Sequence, residues 1–288
     1  MNVSRVSGLV CLAAVLPLHG ADAEAAALLA KSVAAFQQNL EHEKDWNWKT
    51  SEMRRLADRN GKPLQVLPQV HSESVILGDG RRCNAVTSWG DGHPAYLKDA
   101  PCEDRCQAYN SLGTPFNVAI LLKSTNAQVT AHSPEKVTIV VLPDKARQRD
   151  SAFGIRCAAS IEATIQLDAR TLFPLSIEGR LADSRCNGDF IPVMHDTPID
   201  RGPMSSNFRK GSTFRVVWSL QKDRFENPAN SFWLITEQHY DQPIREDMTV
   251  IYYWGRQFRV RTAQAHRLVK DVTTTAQEFG AGSHLTFR

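Results

Sequence analysis

Ile161-Glu162-Ala163-Thr164-Ile165-Gln166-Leu167-Asp168 and Leu175-Ser176-Ile177-Glu178-Gly179-Arg180-Leu181 decide the fold class of this chain. In each run apolar residues alternate with polar or charged ones. A period of two places them on opposite faces of an extended strand. The intervening turn carries Pro174. Two such runs make an antiparallel hairpin with one face buried and one face wet.

The same period recurs on both sides. Upstream, Trp46 and Trp48 alternate with Asn47 and Lys49, and Leu64, Val66, Pro68 and Val70 alternate with Gln65, Leu67 and Gln69. Asp58-Arg59-Asn60-Gly61 separates these runs, and Gly78-Asp79-Gly80 leads into Arg81 to Trp89. Asn-Gly and Asp-Gly favour tight hairpins because the central positions need positive φ. Residues 46 to 89 therefore read as a three-stranded meander, with Pro68 at an edge or a bulge. Strand character returns at Phe116 to Leu122 and Lys136 to Leu142, with a charged loop at Lys145 to Asp150. Downstream, Phe214, Val216, Trp218 and Leu220 open a last section of sheet. Phe232 to Tyr240, Met248 to Trp254 and Leu268 to Phe279 continue it. Between the hairpin and this section lies a polar loop, residues 183 to 211, long enough to be functional or mobile.

Only one clear helix is predicted. Leu29, Val33, Phe36 and Leu40 form a single apolar stripe on an Ala-rich segment from about Glu24 to His42. Before it stands an export signal. Arg5 is followed by the largely apolar Val6 to Leu18, and Ala21-Asp22-Ala23 is a small-x-small cleavage site. The apolar run is too short for a stable span, and Cys11 sits inside it, so lipidation is not expected. Residues 24 to 288 are then one exported domain, periplasmic or secreted.

The chain has 34 basic and 31 acidic side chains, and cleavage would remove one of each, Arg5 and Asp22. The balance of +3 gives no electrostatic case for nucleic acid. No cofactor motif is present. Apart from Cys11, the cysteines are Cys83, Cys102, Cys106, Cys157 and Cys186. Disulfides are the expectation in an oxidising compartment, and an odd number leaves one thiol over. Counting outward from the turn near residues 169 to 173 brings Cys157 close to Cys186, and Cys83 is left for Cys102 or Cys106. Cys102 and Cys106 with His71 or His93 fall short of the four ligands of a structural zinc site, and no metal is assigned.

One helix and then about ten antiparallel strands with one apolar face each imply an α+β, mainly β chain. The sheet would be strongly curved, a half-barrel, with the helix on its concave side. In this order the chain resembles the periplasmic lipoprotein-carrier superfamily, which includes the outer-membrane lipoprotein carrier and receptor. Ile165 to Asp168 running into Leu175 to Arg180, and Trp233 to Val260, are similar to exported bacterial proteins of this kind. The resemblance implies a non-enzymatic protein with an apolar cavity for lipid or a lipidated chain, and carries over no functional residue.

Candidate cavity residues are Trp46, Trp48, Val216, Trp218, Trp233 and Trp254, because rigid amphipathic rings suit a hydrophobic ligand. A second expectation is a structural or protein-interaction module of the cell envelope acting through residues 183 to 211. Glu237 and His239 share a strand face and are the one candidate acid–base pair. Gly282-Ser283-His284 matches no nucleophile elbow. Arg256, Arg259 and Arg261, with Phe258 among them, read as a charge-protected strand edge.

Overall fold

The computed structural model describes residues 22–43, 46–76, 82–93, 106–108, 118–149, 158–183, 210–222, 231–244, 250–254, 256–260 and 264–278. Helix α1 spans Ala23–Glu43. Asp22 caps it, accepting from the Glu24 amide at 2.9 Å through Oδ1 and from the Ala26 amide at 3.0 Å through its carbonyl. Asp22 also donates its own amide to the Ala127 carbonyl at 3.1 Å, which ties the start of α1 to the edge of the sheet.

Strands β1 (Trp46–Ala57), β2 (Pro63–Val66), β3 (Val70–Ile76) and β4 (Arg82–Trp89) form the expected meander. Gly61, at φ 84°, closes the first turn, and Asp58 Oδ1 accepts from the amides of Asn60 and Lys62 at 2.8 and 2.9 Å. The middle strand is broken at Leu67-Pro68-Gln69, so β2 and β3 pair with β1 separately. The proline, which has no amide hydrogen to give a ladder, sits in that break. The Gly78-Asp79-Gly80 turn lies outside the described residues.

Beyond β5 (Cys106–Ala108), the apolar run expected to be a strand at Phe116 to Leu122 instead contains a helical turn, α2 (Val118–Leu121). It buries Val118, Leu121 and Leu122. A short unbroken apolar run has no period to separate strand from helix. The strand is the next segment, β6 (Ala127–His132), which the sequence reading did not find because only its first residue is buried. It pairs with β7 (Lys136–Val141), and β7 with β8 (Ile161–Asp168). β8 and β9 (Pro174–Leu181) are the hairpin that opened the sequence reading, in register Ile165 to Ile177 and Ala163 to Gly179.

β10 (Thr213–Gln221), β11 (Phe232–Pro243) and β14 (Arg267–Glu278) complete a twelve-stranded antiparallel sheet. Its order is β5-β4-β3-β1-β14-β11-β10-β9-β8-β7-β6, with β2 on β1. The sheet is open, with β5 and β6 at its two ends. The chain is therefore mainly β, one N-terminal helix followed by a curved antiparallel sheet. Met248 to Trp254 does not continue this sheet. Among the described residues β12 (Val250–Tyr253) pairs only with β13 (Arg256–Arg259), as a separate two-stranded hairpin. Ile251, Tyr253 and Phe258 are committed to packing on Leu56, Leu67, Val70, Trp89 and Leu268.

Candidate functional site

The face of the sheet that carries the core is chemically divided. Along β1, Trp46, Trp48, Thr50, Glu52, Arg54 and Leu56 are buried, alternate residues of one face, and Ala57 is buried at the strand's end. Register carries the division across the sheet. From β1, successive partners read Glu52, Val272, Gln238, Val216, Ile177 and Ile165. The adjoining row reads Arg54, Lys270, Tyr240, Phe214, Gly179 and Ala163. The β1, β14 and β11 positions are largely polar or charged. From β10 onward every residue in both rows is apolar.

On the apolar half, Val216, Ile177, Ile165 and Ile139 are fully closed to solvent. They share one cluster with Ala25, Leu29 and Val33 of α1 and with Leu121 and Leu122 beside α2. Burying each such aliphatic side chain contributes about 1.5–3 kcal/mol. The C-terminal half of α1 meets an aromatic group. Phe173 stacks on Phe36 of α1, with centroids 6.0 Å apart, and on Trp233 at 5.1 Å, with Trp218 edge-on at 6.4 Å. Trp46 meets Phe232 at 4.9 Å. Phe232 and Trp233 thus serve different neighbours, as their adjacency in one strand requires.

Here the sheet also parts. β11 and β14 pair only from Glu237–Thr273 onward, so the β11 residues before Glu237 have no partner in β14. Asn39 of α1 reaches the vacated backbone. Its Nδ2 donates to the Trp233 carbonyl at 2.8 Å, and its Oδ1 accepts from the Trp233 amide at 2.6 Å. One side-chain amide replaces a strand's donor and acceptor.

The polar half is built around Glu52. Its Oε1 accepts from Arg54 Nε at 2.6 Å and lies 3.7 Å from Lys270 Nζ. Its Oε2 accepts from Trp254 Nε1 at 3.1 Å. Tyr253 Oη donates to the Glu52 carbonyl at 2.6 Å, and the Arg54 guanidinium lies 4.5 Å over the Tyr253 ring. On the other side, Lys270 Nζ lies 5.7 Å from the Tyr240 ring, whose hydroxyl donates to Gln238 Oε1 at 2.6 Å. Thr50 and Ser72 share a short hydroxyl contact.

Burial pushes the Glu52 carboxyl up, but Arg54, Lys270 and the hydrogen bonds from Arg54 and Trp254 outweigh it and hold it below its ordinary value. Burial and then the like charge of Arg54 lower the Lys270 ammonium, against the pull of Glu52. Burial, reinforced by the Glu52 charge, raises both Tyr240 and Tyr253 well above the ordinary phenol value.

The turn of the β12–β13 hairpin supplies Trp254 at φ 49°, a left-handed conformation that a bulky residue adopts at a cost of order 1–3 kcal/mol. The indole bond to Glu52 is what that conformation makes. Arg256 fixes the hairpin's other side. It pairs with Asp91 at 3.1 Å and lies 4.4 Å over the Trp89 ring and 5.0 Å over Phe258. Arg256 is therefore a packed, paired cation rather than part of a solvated charged edge. Arg259 is exposed, and Arg261 lies outside the described residues.

The expected cavity residues fall in two places. Trp46, Trp48, Val216 and Trp218 are buried in the cluster under α1, with Trp233 half-buried beside them. Trp254 belongs to the separate cluster under β12–β13. Sequence reading missed Glu52, Arg54 and Lys270. Their only signal was that Glu52 and Arg54 continue the parity of Trp46 and Trp48.

Glu237 and His239 take different partners, Arg215 at 3.3 Å and Asp271 at 2.6 Å, on the opposite, charged face. His93 stands in a turn, its amide donating to Asp91 Oδ1 at 3.1 Å. Register sets Cys83 opposite Ala108 and Cys106 opposite Ala85, so these two cysteine positions are diagonal neighbours on adjoining strands. Cys102, Cys157, Cys186, Gly282-Ser283-His284, residues 1–21 and nearly all of the 183 to 211 loop lie outside the described residues. Among the described residues, no group of three or more His, Cys, Asp or Glu is placed to hold a metal, and no helix is long and apolar enough to cross a membrane.

No family model and no curated protein matches this sequence. Solved structures do. A domain described as an outer membrane lipoprotein-sorting protein, from Vibrio parahaemolyticus, is 9% identical over 88% of this chain and 94% of its own, with a TM-score of 0.35. A LolA superfamily protein from Nitrosomonas europaea is 7% identical over 92% and 97%, with a TM-score of 0.33. A chain of the Pseudomonas aeruginosa MucA/MucB complex is 11% identical over 90% and 100%, with a TM-score of 0.23. The solved neighbours thus include members of the lipoprotein-carrier group that the element order resembles. At these scores they bring neither residue nor ligand to this chain.

Proposed function

We propose that this chain is an exported, non-enzymatic carrier that holds a hydrophobic ligand, a lipid or a lipidated chain, against the apolar half of the inner face. The observation that carries the reading is how that half is covered. A continuous aliphatic surface of sheet is closed by α1, through a stripe of Ala25, Leu29, Val33 and Phe36 and an amide clamp at Asn39. A helix held this way is replaceable by an acyl chain, which offers the same sheet the same kind of surface. The half-buried Trp233 and the exposed Leu220, paired across β10 and β11, mark the aromatic end as the entry.

Residues 24 to 288 would act as one domain after cleavage behind Ala23. The test is native mass spectrometry and solvent extraction of the protein purified from an exporting host, followed by titration of the delipidated protein with a fatty acid. A co-purifying lipid, or saturable binding that quenches tryptophan fluorescence, is expected. Absence of both sinks the carrier reading.

A further inference from the structure

Because the inner face is polar on β1, β14 and β11 and aliphatic from β10 onward, we infer that Lys270 anchors the anionic head of an amphiphile whose tail lies across the aliphatic half. The inference rests on the carrier reading and names the class of its ligand, a long-chain carboxylate or phosphate.

Lys270 lies mid-sheet on β14, paired with Arg54 on one side and Tyr240 on the other. It is the member of the charged group that solvent reaches. Its side chain is 29% exposed against 7% for Glu52. Glu52 is engaged at both oxygens, by Arg54 and Trp254, and it pairs with the Lys270 ammonium at the longer distance of 3.7 Å. An ammonium carries three donors, and burial already works against its charge here. Glu52 already supports that charge, and an incoming anion would add a second counter-charge on the side of Lys270 that solvent reaches.

The geometry also suits the tail. From β14 to β7 the sheet order takes five steps, at about 4.8 Å each roughly 24 Å, the reach of a long acyl chain. The lining along that path is Val216, Ile177, Ile165 and Ile139.

The test titrates delipidated protein with laurate, with 1-dodecanol and with inorganic phosphate alone. Laurate should bind at least about tenfold tighter than dodecanol, as a charge-assisted contact requires. Lys270→Met should remove that preference and leave dodecanol binding unchanged, while Lys270→Arg should keep it. Equal binding of laurate and dodecanol by the unaltered protein overturns the head-group site and leaves the carrier reading standing. A preference that survives Lys270→Met also overturns it. Phosphate binding that needs Lys270, with neither amphiphile bound, keeps the anion site and overturns the carrier. No binding of any of the three overturns both.

Discussion

Replacing Asn39 by alanine tests how α1 is held. The side chain is nearly buried, and its amide makes two hydrogen bonds to the backbone of Trp233, at 2.6 and 2.8 Å. Each neutral bond is worth about 1 kcal/mol net, and a buried partner left without one costs about 1–3 kcal/mol. Alanine is the better helix former by roughly 0.7 kcal/mol, which offsets part of the loss. The expected net destabilisation is therefore about 2–4 kcal/mol. Urea unfolding followed by tryptophan fluorescence measures it as a shift in midpoint at constant slope. Asn39→Asp keeps the acceptor for the Trp233 amide but sets a carboxylate against the Trp233 carbonyl, so it should lose at least as much. A loss below about 0.5 kcal/mol for Asn39→Ala, within the ordinary range of surface substitutions, would refute the clamp. With it would go the argument that Asn39 holds the C-terminal half of α1 on the sheet.

Three further outcomes follow. A Cβ on Gly179 would stand 2.4 Å from the Glu162 carbonyl oxygen and 2.9 Å from the Ala163 Cβ. Gly179→Ala should therefore cost about 1–3 kcal/mol as an overpacking change, read as a lower unfolding midpoint. On pH, Glu52 is held below its ordinary value, so its contribution is complete above the unfolded carboxylate pKa of about 4.3 and is lost as pH falls through the folded value. Tyr240 and Tyr253 are raised, so stability falls as pH climbs past the ordinary phenol value of about 10. Absorbance at alkaline pH should show these two of the five tyrosines ionising only on unfolding. Finally, Asp22 caps α1, and the proposed cleavage behind Ala23 would remove it. A chain starting at Asp22 should be about 0.5–2 kcal/mol more stable than one starting at Glu24, by thermal melting.

The hairpin of β8 and β9 was legible because each of its strands has one wet face, and alternation is a local property. So was α1, whose stripe repeats within a few turns. Order across the sheet was not legible, because nothing near residues 267 to 278 says that they lie between β1 and β11. The hairpin of β12 and β13 misled for a related reason. Ile251 and Tyr253 alternate like strand residues of any sheet, and only their distant neighbours, Leu56 and Trp89, decide which. The tryptophans drew attention by type, yet Glu52, Arg54 and Lys270 hold the chemistry. Charged residues at inward parity read as exposed until β1 and β14 bring them together.

The place of β14 has a consequence for how the protein is made. β1 pairs with β14 along its whole length, Trp46–Glu278 to Ala57–Arg267, and β14 pairs in turn with β11. Among the described residues, the half-sheet of β1 to β5 and the half-sheet of β6 to β11 meet only through this strand. Among the described strands it is also the last in chain order. Until residues 267 to 278 have been synthesised the two halves have no common ladder, and closing them requires contacts over more than two hundred residues of sequence. Such long-range pairing is slow. The two half-sheets therefore stand apart until this pairing forms, which makes the finished sheet a late product of folding.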